Sequence, residues 1–82
     1  MSPQALREEL RRQPFVPLKL ILSDGKTNEI RHPEMALIGH LDLYVGTESE
    51  PGSGIAGKTD LVSMLHIVRV EQLKPPPSVK AG

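Results

Sequence analysis

The sequence predicts an all-β domain with one N-terminal helix, closed as a small antiparallel barrel of about five strands. Three observations predict it. Apolar residues alternate with others from Val16 to Leu22, an Asp-Gly turn follows at once, and further short apolar runs recur at close spacing, bounded by turn residues. Only the first dozen residues show helical periodicity, so an α+β plait lacks its second helix. Closure into a barrel removes the sheet edges that an open five-strand sheet exposes.

The helix starts at Ser2-Pro3. The serine can cap, and proline at the first helical position gives up an amide that has no partner there anyway. Leu6 and Leu10 share one face, and Glu8 and Arg12 are spaced as an i,i+4 pair. Pro14 biases Gln13 away from helical angles, so the helix ends by Gln13. So short a helix does not hold in water alone. Leu6 and Leu10, with Phe15, need a floor, and an open end of the barrel supplies it.

The first strand buries Val16, Leu18, Leu20 and Leu22, turns at Asp24-Gly25, and returns over about Lys26 to Arg31. Pro17 lacks an amide for an interior ladder and marks an edge or bulge. After His32-Pro33-Glu34 comes a single helical turn. Short strands follow over Ala36 to Ile38 and Leu41 to Val45, with Gly39 and His40 as the bend. Leu41, Leu43 and Val45 share a face, and Asp42 and Tyr44 the other. The stretch from Gly46 to Thr59 holds four glycines and a proline and reads as a long exposed loop. Leu61 to Ser63 and His66 to Leu73 are the last strands, with a tight turn near Met64-Leu65. Residues 1–73 thus form a single domain, and 74–82 read as a disordered, proline-rich tail. The predicted core comprises Leu18, Leu20, Leu22, Leu43, Ile67 and Val70.

Composition narrows the function classes. The chain has 82 residues, with ten basic and ten acidic side chains that cancel. A domain this small buries only about 60% of the surface its unfolded chain exposes, which favours self-association as a source of further burial. The balanced charge provides no field to steer the chain to nucleic acid or anionic lipid. The lack of cysteine excludes disulfides, thiolate metal sites and thiol nucleophiles. One tyrosine, one phenylalanine and no tryptophan leave few stacking platforms for bases. The polar start has no apolar signal-peptide region, and no apolar run reaches the roughly 20 residues that span a bilayer. A soluble, cytoplasmic protein that does not engage membranes is expected.

Several patterns invite chemistry. Gly52 to Thr59 satisfies the phosphate-loop pattern GxxxxGK[ST], with Lys58 and Thr59 in the places that would hold phosphate and magnesium. That chemistry needs a buried strand before the loop and a helix after it. Leu61, Val62, Ile67, Val68 and Val70 instead continue in β-rich composition, so the pattern reads as a hairpin loop. His32, His40 and His66 with Glu34, Asp42 and Asp60 offer ligand types for zinc or acid–base work, without diagnostic spacing. Ser63, His66 and Asp60 supply hydrolase residue types without a nucleophile elbow. No catalytic residue, metal site or cofactor is predicted. Arg7, Arg11 and Arg12 form the only local basic cluster. They are the candidate nucleic-acid contacts, diluted by Glu8 and Glu9 and weak unless repeated around a ring.

The order of elements resembles the Sm-like family, in particular its bacterial branch, the Hfq RNA chaperones. That family's first motif falls on Val16, Pro17, Leu18, Leu20, Leu22, Ser23, Asp24 and Gly25, and its closing motif on Ile67 and Val70. The resemblance implies an Sm-like or SH3-like barrel, a homo-oligomeric ring and RNA as a partner. The tyrosine, lysine and histidine that build the family's uridine pore have Ser63, Met64 and Leu65 at the matching positions. The sequence is also similar to short bacterial proteins of unknown function that share Phe15, Pro17, Leu22, Asp24 and Gly25, then His32, Pro33 and Glu34. Taken together, the residues predict a non-enzymatic, self-associating interaction module. The alternatives are an RNA-binding ring and, more remotely, a nucleotide-binding protein acting through residues 52–59.

Overall fold

The structure, a computed structural model, describes residues 1–73; the tail expected over 74–82 lies outside the described residues. Helix α1 (Pro3–Leu10) starts as its residues dictate: Ser2 lies extended, and its Oγ accepts the Ala5 amide at 3.1 Å. Arg12 pairs with Glu9 at 3.2 Å, not with Glu8. Leu6 is fully buried, and Leu10 and Phe15 pack beside it against the core.

Strand β1 (Leu18–Leu22) is the centre of a three-stranded sheet, flanked by β2 (Thr27–Ile30) and β6 (Ile67–Gln72), both antiparallel to it. Gly25, at φ +88°, closes the β1–β2 hairpin. Its amide donates to Leu22 O, while Asp24 Oδ1 accepts the Lys26 amide at 2.9 Å. Pro17 stands one residue ahead of β1, where its missing amide costs nothing, and its carbonyl accepts the Leu73 amide.

A 3-10 turn, Pro33–Met35, leads to the second sheet. There β3 (Ala36–Ile38), β4 (Asp42–Glu48) and β5 (Ala56–Ser63) form an antiparallel meander with β4 in the middle. A second 3-10 turn, Met64–His66, returns the chain to β6. The inner faces of both sheets and α1 supply one core: Leu6, Leu18, Leu20, Ile30, Leu43, Val45, Val62, Met64 and Ile67. Each such aliphatic side chain contributes on the order of 1.5–3 kcal/mol by leaving water. Of the predicted core, Leu18, Leu20, Leu43 and Ile67 are buried, while Leu22 and Val70 pack at its margin.

The expected barrel is not formed. Six strands make two separate three-stranded sheets, and among the described residues no ladder joins one sheet to the other. The Pro33–Met35 turn accounts for this. A closed barrel needs strands long enough to bend through both sheets, yet β2 and β3 have four and three residues and are split by the Pro33–Met35 turn. The Sm-like barrel implied by the resemblance is therefore corrected to two facing sheets with a helix over their shared core.

The long loop expected over Gly46 to Thr59 is also corrected. Most of it is strand: Gly46 pairs with Thr59 and Thr47 with Lys58, leaving only residues 49–55 as connection. These strand ends are exposed, so backbone bonds hold them without the burial pattern that reveals a strand in sequence.

Candidate functional site

The outward face of the second sheet carries the most conspicuous surface feature. Strand alternation turns Leu43, Val45 and Val62 inward and therefore Tyr44 and Leu61 outward. The register sets Leu37 directly opposite Tyr44, and Tyr44 directly opposite Leu61. Leu37, Tyr44 and Leu61 thus form one unbroken row across all three strands, 68%, 46% and 59% exposed. Scattered surface aliphatics are ordinary, whereas these three side chains are contiguous across the sheet. Leu41 and Leu65 add exposed apolar side chains near one end of the sheet, where the Met64 amide donates to Leu41 O. The alternation around Leu43 and Val45 places Tyr44 outward from sequence alone. Its neighbours Leu37 and Leu61 depend on register, which the sequence does not show.

The strand order also leaves β5 at a sheet edge. It is the longest strand, and among the described residues its backbone makes no hydrogen bonds beyond those to β4. Its two charged residues, Lys58 and Asp60, project from one face, with Nζ and Oδ1 3.8 Å apart. Asp60 also accepts from Asn28 Nδ2 at 3.0 Å, which ties β5 to β2 of the first sheet.

The phosphate-loop pattern has the wrong surroundings. Thr59 lies within β5, and among the described residues no α-helix follows it. The loop amides face a carboxylate: Gly52 and Gly54 donate to Glu48 Oε1 and Oε2 at 3.3 and 2.8 Å. Those two bonds, the Gly54 bond foremost, and the nearby His32 imidazole hold the Glu48 carboxyl below the usual carboxylate range. Lys58 leans toward Asp60 and not into the loop's amides.

The remaining candidates are dispersed. Ser63 Oγ accepts the Leu65 amide, His66 Nδ1 meets Ser23 Oγ at 3.1 Å, and Asp60 is engaged by Asn28, so these three build no triad. His32 Nε2 lies 3.2 Å from Glu48 Oε1, away from His40. Among the described residues, no three His, Asp or Glu side chains converge in a way that could hold a metal ion. Arg7, Arg11 and Arg12 stand on or just beyond α1, in different surroundings. Arg12 is paired with Glu9, Arg11 caps the helix end, and Arg7 lines an open cleft of about 630 Å³ between α1 and β3. Leu10, Ala36, Ile38 and His40 also line that cleft. Arg12 and the Gln72 amide both bond Glu9, and these contacts, Gln72 first, hold its carboxyl below the usual range. No helix among the described residues is long and apolar enough to cross a membrane.

Compared with protein-family models, with curated proteins and with solved structures, the chain matches none.

Proposed function

We propose that this domain is a non-enzymatic interaction module whose role is to associate with further copies of itself through its second sheet. The observation that carries the reading is the exposed row Leu37–Tyr44–Leu61 across β3, β4 and β5. A second copy covers such a row at little electrostatic cost, because the chain carries ten positive and ten negative side chains. A small domain also gains in proportion from any apolar surface it shares. Ser63, His66 and Asp60 fit the same reading, since Ser63 holds a turn and His66 and Asp60 link separate elements.

Sedimentation equilibrium over a hundredfold concentration range tests it. The expected result is a weight-average mass that rises above the 9.0 kDa of one chain. Tyr44→Lys, which places a charge in the middle of the row, is expected to return the protein toward monomer. A single 9.0 kDa species into the hundreds of micromolar overturns the reading.

A further inference from the structure

We infer that two copies join by pairing their β5 strands antiparallel about a two-fold axis at Thr59, so that each Lys58 faces the partner's Asp60. This rests on the reading of the domain as self-associating and adds a second contact, between sheet edges.

The four strands at sheet edges are not alike. β3 and β2 are short, and β6 runs into the region of α1, where Gln72 Nε2 bonds Glu9 Oε1 at 3.0 Å. β5 has eight residues and, among the described residues, only β4 beside it. An edge of that length is a template for another strand unless something opposes pairing, and charged side chains are the usual opposition. Here the charges select a register instead.

A two-fold axis that keeps the two copies' sheet faces continuous must pass through a residue that pairs with its own copy. An axis at Lys58 sets lysine against lysine, and one at Asp60 sets carboxylate against carboxylate; like charges directly opposite destabilise a sheet. An axis at Leu61 leaves both charges without a counterpart. An axis at Thr59 sets each Lys58 against the partner's Asp60, twice. Within each copy the two charges are already 3.8 Å apart on one face, so the four groups form a square of alternating sign. Lys58 is 73% exposed, and Asp60, 34% exposed, keeps Oδ1 on this side while its Oδ2 accepts from Asn28.

The neighbours fit the same axis. Thr59 meets Thr59 of the partner subunit, a favourable cross-strand pair, and Gly57 falls opposite the partner's Leu61, where it presents no side chain. The result is a continuous six-stranded sheet. Both apolar rows then lie side by side on one of its faces, so the β5 contact is separate from the face-to-face contact that covers them.

Charge reversal and hydrogen exchange test this on the full chain. Lys58→Asp sets carboxylate against carboxylate and is expected to weaken the dimer by roughly tenfold. The exchanged pair Lys58→Asp with Asp60→Lys is expected to restore it to within about twofold of wild type. Because Asp60→Lys also removes the acceptor of Asn28, amide exchange provides a second readout that needs no variant. Alternate amides within residues 57–61 are expected to be protected at high protein concentration and exposed at low. If the wild-type protein associates while Lys58→Asp has no effect and these amides stay unprotected at all concentrations, the β5 pairing is overturned and the self-association stands. If the wild-type protein remains monomeric, both are overturned.

Discussion

Asn28 donates from Nδ2 to Asp60 Oδ2 at 3.0 Å, joining β2 of the first sheet to β5 of the second. It is a side-chain bond between two sheets that share no ladder among the described residues. The bond is only partly buried, so its net worth falls to that of an ordinary hydrogen bond, below the range for buried bonds to charged groups. Asn28→Ala is expected to cost about 1 kcal/mol in urea unfolding with little change in m-value. A loss below about 0.3 kcal/mol would show that apolar packing alone holds the sheets together.

Leu20 tests the shared core itself. It sits on the central strand β1, opposite Asn28 on one side and Val70 on the other, and is fully buried. Truncation to alanine removes three buried carbons and leaves a cavity that the flanking strands can close only in part. Leu20→Ala is expected to destabilise the domain by roughly 2–5 kcal/mol, a large share of the total for so small a chain. Chemical denaturation measures it directly, and a cost under about 0.5 kcal/mol contradicts the core described above.

Legibility in the sequence followed the range of the interactions. Ser2 and Pro3 announce the helix start, and Leu18, Leu20 and Asp24-Gly25 announce the first hairpin, because each signal acts within a few residues. Closure is a relationship between edges far apart in the chain. The 3-10 turn that separates β2 from β3 looks, in sequence, like any tight turn at a proline. Thr47 and Lys58 pair within a ladder although neither shows the alternation of a half-buried strand. The exposed apolar row divides in the same way. Tyr44 could be placed outward from Leu43 and Val45, whereas its row with Leu37 and Leu61 exists only through register.

The β4–β5 connection is expected to loosen in acid. Glu48 accepts the Gly54 and Gly52 amides, which favour its charged form and depress its folded pKa below the unfolded value. A depressed carboxyl contributes stability that is present above the unfolded pKa and is lost as pH falls through the folded one. At neutral pH the contribution is therefore complete, and it disappears only below the ordinary carboxylate range. Amide NMR shifts of Gly52 and Gly54, followed from neutral to strongly acidic pH, are expected to titrate with a midpoint below that range. Glu48→Gln is expected to abolish the titration. A midpoint at or above the ordinary glutamate value contradicts the hydrogen-bonding shown by the structure.

The same carboxylate makes residues 52–59 a poor place for a nucleotide. A phosphate cradle works because loop amides and a helix N-terminus converge on an anion. In this loop the Gly52 and Gly54 amides already donate to Glu48, and Thr59 continues into a strand. A bound triphosphate has to displace Glu48 and then meet its negative charge at close range, with Lys58 drawn toward Asp60. Isothermal titration with ATP and magnesium is expected to show no saturable heat at millimolar ligand. Glu48→Gln is the more demanding form of the test, because it removes the repulsion while leaving the pattern from Gly52 to Thr59 intact. That variant is also expected to bind nothing, since Thr59 continues into β5 and opens no helix there. Micromolar binding by either protein, lost on Lys58→Ala, would show that the loop can rearrange into a phosphate cradle and would overturn the account of it as a hairpin connection.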